Sequence, residues 1–422
     1  MIVVMPSELS PIPFEACLPL DWLSLETLAA SLDDPVEGLT NSQATLRLFG
    51  QPETSVRVTL YRDHHAWCPY CQKVWLWLEE RRVPYRIRKV TMFCYGEKES
   101  WYRQRVASGM LPALEIDGHL VTESDRILEA LETSFAPLGP GMNDPTVLPL
   151  RRLERQIFRS WCQWLCTPSR SIDDDSHRRD AFRRAAQCME AELQHTPGPF
   201  LLSDFSTADL VFVPYLERMA ASLLYYKAYA LRQEHPAIDR WFQALERRPT
   251  YLGTQSDIHT HAHDLPPQMG GCYPSGTAEQ QAIASRVDRG PWPICEPDPE
   301  TSAPVPPDAA AVALARVLRH RTVLVARQPS NSGFDQALRA ALTRLIQGTA
   351  CIPPPGSAVR LRDLRDHICV PRDMPLHSAR LLRQALEDTA KLDPRSPDDQ
   401  PPALSQRHRR DQDPRPFLTA SR

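Results

Sequence analysis

Two cysteines, in Cys68-Pro-Tyr-Cys71, stand between an apolar strand-like run and a helix-forming one. Val56–Tyr61 reads as a strand, and Val74, Trp75, Trp77 and Leu78 belong to a helix that Pro69 is suited to open. Cys68 then lies at a helix N-terminus, where unpaired N–H groups and the helix dipole favour an anion. Thiolate is the nucleophilic form of cysteine. The spacing therefore predicts disulfide chemistry, with Cys68 attacking and Cys71, one turn on and on the inner side, as a resolving thiol. Half a zinc site is the competing use of such a pair. It requires a second Cys or His pair at ligand spacing, which the sequence does not supply, so no metal is expected there. Two inert core thiols are the other alternative, and the strand before and helix after weigh against it. His64 and His65 precede the motif and could favour the thiolate, although loop histidines are more often passive, and no role is assigned to them.

The elements that must position these sulfurs alternate clearly over residues 55–136. After the strand and Pro69–Arg82 helix comes Tyr85–Val90, a period-two strand. A short helix follows over Lys98–Ala107. Ala113–Ile116 and His119–Thr122 make a hairpin across Asp117-Gly118, and Ser124–Thr133 is helical. This β-α-β-α-β-β-α order is that of a thioredoxin-like α/β domain. A breaker-rich linker ends at Pro145, and residues 146–255 read as all helical. There Ser206 and Asp209 form a capping box at the start of a helix. Trp161, Trp164, Tyr215, Tyr225 and Tyr226 are placed to line an apolar pocket, but aromatic residues at helical spacing more often mark core.

Residues 55–255 resemble a soluble glutathione transferase carrying a glutaredoxin-type active site, of the cysteine-type, omega-like, plant and algal kind. Cys68-Pro-Tyr-Cys71 matches the dithiol motif, and Leu111-Pro112 resembles the cis-proline element that precedes the third strand. Glu123-Ser124 resembles the pair that holds the γ-glutamyl end of glutathione. Lys98, followed by an acidic residue and Trp101, resembles the lysine of the omega-like members. The resemblance implies glutathione as co-substrate, with Trp67, Tyr70, Lys98, Leu111, Pro112, Glu123 and Ser124 around it. It also implies a glutathione-dependent thiol transferase or reductase. The second substrate would be a small-molecule or protein disulfide, a glutathionylated thiol, or an oxidised small molecule such as dehydroascorbate. A homodimer is the assembly it allows. A glutathione-conjugating transferase and a non-catalytic glutathione- or ligand-binding protein are the alternatives. The chemistry of the residues agrees with binding: a chain flanking a cis proline is extended and pairs with peptide backbone. A serine at a helix start suits a carboxylate, and a lysine is a compact cation for the other carboxylate.

The rest of the chain is less informative. Net charge is -3, so no basic field points to nucleic acid. The 11 cysteines are odd in number and irregularly spaced, which argues against a secreted disulfide framework. A reducing compartment is expected, cytoplasmic or plastid, with no signal peptide and no membrane span. Residues 1–54 read as an N-terminal extension with one short helix over Asp21–Leu32 and a short strand within Ala44–Gly50. His259, His261 and His263 alternate, so on an extended segment they would share one face. No second element completes a metal site with them, and residues 256–307, rich in Pro, Gly and Ser, read as a linker or docked loop. Residues 308–392 read as a helical extension and 393–422 as a disordered tail. A chain ending near Tyr251 is expected to keep the glutathione site.

Overall fold

The computed structural model describes residues 17–32, 34–294, 296–328 and 333–415. Residues 1–16 of the expected extension and 416–422 of the expected tail lie outside the described residues. A short helix, α1 (Trp22–Leu28), leads to one mixed sheet of five strands. These are β1 (Leu46–Arg47), β2 (Val58–Asp63), β3 (Tyr85–Val90), β4 (Ala113–Ile116) and β5 (His119–Thr122), in the order β1-β3-β2-β4-β5. β2 and β3 run parallel, which requires a crossover, and α2 (Pro69–Glu80) supplies it. In β3 the even period is visible as burial of Tyr85 and Ile87 against exposure of Arg86 and Arg88. The β4–β5 hairpin turns at Asp117 (φ 51) and Gly118 (φ 83), the left-handed pair that a two-residue loop requires. Helices α3 (Ser100–Arg105) and α4 (Ser124–Phe135) complete the domain, α4 burying Ile127, Leu128 and Leu131.

An all-helical layer follows, made of α5 (Val147–Leu165), α6 (Ile172–His195), α7 (Thr207–Lys227), α8 (Leu231–Glu234), α9 (Pro236–Leu245) and α10 (Pro249–Thr254). The Ser206–Asp209 capping box opens α7, which is buried along nearly its whole length. It joins α2 and the sheet to the helices in one core containing Trp75, Trp77, Trp161, Leu216 and Trp241. The architecture is a thioredoxin-like domain followed by a helical domain, with further helices beyond.

Those further helices correct the linker expected over 256–307. The segment carries α11 (Ile258–Met269) and α12 (Ala278–Arg289), capped by the side chains of Asp257 and Thr277. Pro266 and Pro267 lie inside α11 and remove the N–H groups that would bond to the carbonyls four residues back. Partners from elsewhere replace them: Tyr226 Oη donates to the Ala262 carbonyl at 2.6 Å and Arg409 Nη1 to that of His263 at 3.5 Å. The three histidines are thus helical, not extended, and do not share a face.

The C-terminal helices are α13 (Ala309–Ala326), α14 (Phe334–Gln347), α15 (Ala358–His367) and α16 (Leu376–Ala390). Leu314, Val317 and Leu338 bury into a core that these helices make among themselves, and α1 adds Leu25 to it across the length of the chain. The tail is also corrected. Arg409 and Gln412 are buried, and the Arg409 N–H donates to the Cys94 carbonyl at 3.0 Å. A polar segment reads as disordered when its charges have no partners in view; here Arg409 is paired with Asp411 at 2.8 Å. Among the described residues, no helix is long and apolar enough to cross a membrane.

Candidate active site

The loop after β2 folds around a buried carboxylate. Asp63 Oδ2 accepts the Trp67 N–H at 2.7 Å, and Ala66 takes a positive φ of 63° to close the turn. Arg218, reaching from α7, donates to the Trp67 carbonyl at 2.6 Å and to Gln72 Oε1 at 2.7 Å. The loop is therefore held by charge-assisted bonds at both ends before the cysteines begin. Cys68 is the N-cap of α2, and its sulfur accepts the Cys71 N–H at 3.4 Å. That is the orphan-donor position expected from the sequence. The Cys68 Sγ lies 3.9 Å from the Leu111 carbonyl, beside the cis Leu111–Pro112 bond. Cys71 is buried. Burial, followed by its contact with Cys68, pushes its thiol well above the ordinary range, so it stays protonated. Ligand atoms of Asp63, Cys68 and Cys71 all fall within 4.8 Å of one another.

A groove of about 640 Å³ opens beside this loop. Tyr70, Leu111, Pro112, Glu123 and Ser124 line its sheet side, and Arg151, Arg155 and Tyr215 its helical side. Glu123 holds a left-handed backbone (φ 67, ψ 116), an uncommon state for a side-chain-bearing residue that is often kept at functional sites. It is the N-cap of α4, and Ser124 is the first helical residue, one place later than a capping serine. Lys73 and Arg151 both engage Asp125 at the same end of the groove, the latter at 3.0 Å. Tyr70 packs edge-on to Tyr215, with centroids 5.8 Å apart.

The structure separates the remaining expected residues. Lys98 is half-buried, and its ammonium donates to the Gly109 carbonyl, two residues before Leu111. Trp67 departs from expectation. It faces inward, 1% exposed, in a cluster with Cys94, Tyr95 and Cys369, and the Arg372 guanidinium lies 5.3 Å from its ring centroid. Its indole is too large and apolar to leave exposed once this C-terminal cover is present, so it builds the loop's underside and does not line the groove. His64 turns to Glu99 at 3.5 Å. His65 Nε2 donates to the Gln412 carbonyl at 2.7 Å, and burial holds it neutral, well below its ordinary value. Asp63 and Arg218 were not picked out from the sequence. Arg218 had a signal, a cation in the middle of a long, largely apolar helix; Asp63 had none, as an acid ending a strand is commonplace.

Fold and loop together define a thioredoxin-like domain with a cysteine at a helix start, coupled to a helical domain. Residues 67–134 match the family described as glutathione S-transferase, N-terminal domain, and residues 151–244 that described as glutathione S-transferase, C-terminal domain. Glutathione S-transferase DHAR2 of Arabidopsis thaliana is 26% identical over 190 residues, covering 45% of this chain and 84% of that protein. Glutathione S-transferase L3 of the same plant is 24% identical over 192 residues, covering 45% and 79%. A solved glutathione transferase Omega 3C from Trametes versicolor aligns with a TM-score of 0.41 at 22% identity, covering 56% of this chain and 94% of that one. The two family models and the plant relatives support a glutathione transferase family for the matched region, roughly two-fifths of the chain, with the segments on either side outside it.

Proposed function

We propose that this protein is a glutathione-dependent thiol transferase or reductase, with Cys68 as nucleophile and glutathione as co-substrate. One observation carries the reading: the Cys68 sulfur caps α2, accepts a backbone N–H, and faces the Leu111 carbonyl beside the cis-Pro112 bond. The Cys68 thiolate attacks a glutathionylated thiol, forming a Cys68–glutathione disulfide and releasing the substrate as a thiolate that takes a proton. A second glutathione thiolate then attacks the glutathione sulfur of that disulfide. Glutathione disulfide leaves, and the electron pair of the broken bond returns to Cys68 as thiolate. Burial keeps Cys71 protonated, which favours resolution by glutathione over internal attack.

In this reading Leu111 pairs with the cysteinyl backbone as an added strand would. Glu123 accepts from the γ-glutamyl ammonium, and Ser124 with the start of α4 holds the adjoining carboxylate. Lys98 serves the glycyl carboxylate, and Tyr70 walls the sulfur end. Such an enzyme suits a reducing compartment, the cytoplasm or a plastid. The pure protein should be assayed with glutathione against hydroxyethyl disulfide, dehydroascorbate and a chloronitrobenzene. Turnover of the first two, abolished in Cys68→Ser, is expected. Dominant conjugation of the aromatic halide would instead make the protein a conjugating transferase, and binding of glutathione without any turnover a ligand-binding protein.

A further inference from the structure

We propose that His259 and His263 of α11 and Asp288 of α12 form a binding site for a divalent transition-metal ion, of which zinc is the one to test. Residues four apart on a helix lie on the same face, and here the two imidazole centroids are 4.8 Å apart. α12 brings Asp288 against them, its Oδ1 lying 2.9 Å from His263 Nε2. One ligand atom from each of the three falls within 4.8 Å of the others. Ligand atoms around a tetrahedral zinc with bonds near 2.0–2.1 Å stand about 3.3 Å apart, so only a small closing movement is needed.

Three further observations favour an ion over a plain His–Asp pair. His259 is buried, and its Nδ1 has no hydrogen-bond partner. An imidazole placed there for hydrogen bonding would have a partner, whereas a lone pair kept for an ion needs none. The Tyr225 hydroxyl donates to Asp288 Oδ2 at 3.1 Å, which orients the carboxylate with Oδ1 towards His263. The surrounding cations are already neutralised: Arg365 by Glu387 and Asp366, Arg383 by Asp257, and Arg409 by Asp411. Two imidazole nitrogens with one carboxylate select borderline ions such as zinc over calcium or magnesium, which take all-oxygen sets. His263 and Asp288 remain partly exposed, so an ion arrives from solvent and keeps a water in the fourth position. His261 takes no part; it bonds to Glu217 at 2.9 Å on another side of the helix.

The cysteine loop is a second place for a soft metal, and the test must separate the two. Reduced full-length protein is titrated with Co(II) and Zn(II), following the cobalt spectrum and the heat of zinc binding. The expected result is one equivalent of cobalt with nitrogen–oxygen ligation and no thiolate charge-transfer band, retained in the Cys68→Ser/Cys71→Ser double variant and displaced by zinc. His263→Gln and Asp288→Asn should each weaken zinc binding at least tenfold with unchanged circular dichroism; should one misfold, the other carries the test. The site is refuted if cobalt binding vanishes in the cysteine double variant, or if a folded His263 or Asp288 variant binds zinc as tightly as the parent. Either result leaves the thiol-transferase reading untouched, because none of these three residues belongs to it.

Discussion

Cys68 and Cys71 carry the same thiol into different surroundings. Cys68 caps a helix, while Cys71 lies inside it, where desolvation opposes its charge. Cys71→Ser is therefore expected to keep most glutathione-dependent turnover of hydroxyethyl disulfide, while Cys68→Ser removes it. Equal loss in both variants would show that the two thiols resolve each other. Beyond the sulfurs, Glu123 and Ser124 line the groove. Hydrogen bonds to charged groups contribute roughly 1.5–3 kcal/mol. The Glu123→Ala/Ser124→Ala double variant should thus raise the KM for glutathione by tenfold or more and leave that of the second substrate nearly unchanged. Unchanged glutathione saturation in a folded double variant would remove both residues from the site.

Among the elements, the short helix α3 and the loop before it carry Lys98, and Glu99 fixes that loop to the end of β3. Its carboxylate accepts the Thr91 N–H and hydroxyl, each at 2.9 Å, and faces His64. Burial opposes its charge, but the hydrogen bonds from His64 and Thr91 outweigh it and hold the group at about 2, below the ordinary 4.5. A carboxyl depressed in the folded state adds stability above its unfolded value, and that contribution is lost as the pH falls through the folded one. The stability gap between the parent and Glu99→Gln should therefore be full near neutrality and shrink as the pH drops from about 4.5 towards about 2. Denaturant titrations across that range measure it, and a gap independent of pH would contradict the assignment.

At the scale of the whole molecule, the chain returns to its own active-site loop. Ser42 donates to the Pro371 carbonyl at 2.7 Å, the Val370 N–H to Thr260 Oγ1 at 3.0 Å, and His65 to Gln412 at 2.7 Å. Arg372 and Cys369 cover Trp67. These contacts set a cost against the expectation that a chain ended near Tyr251 keeps its site. Truncation would uncover Trp67 and strip His65 and Ser42 of buried partners, each unmade bond costing about 1–3 kcal/mol. Such a chain should show a lower Tm, and a glutathione affinity weakened in step. Thermal melts and calorimetry read both, and parent-like values would mean the C-terminal cover is dispensable.

What the amino-acid sequence determined by itself was local. Period-two and helical patterns, the Asp117-Gly118 turn, the Ser206–Asp209 box and a cysteine placed before a helix can each be read within a dozen residues, because their physical causes act over that distance. The same holds for the line-up of Cys68, Leu111, Glu123 and Ser124, which one small domain brings together. Tertiary structure decided the rest. It turned Trp67 inward, aimed Arg218 at the loop, and ordered Arg409 and Gln412 in a tail whose composition reads as solvated. The prolines of α11 make the reason plain. Pro266 and Pro267 break a helix only while the carbonyls they orphan lack donors, and those donors, Tyr226 and Arg409, come from 36 and 146 residues away. No local pattern carries that information, so the segment read as a loop and its histidines were assigned to the wrong faces.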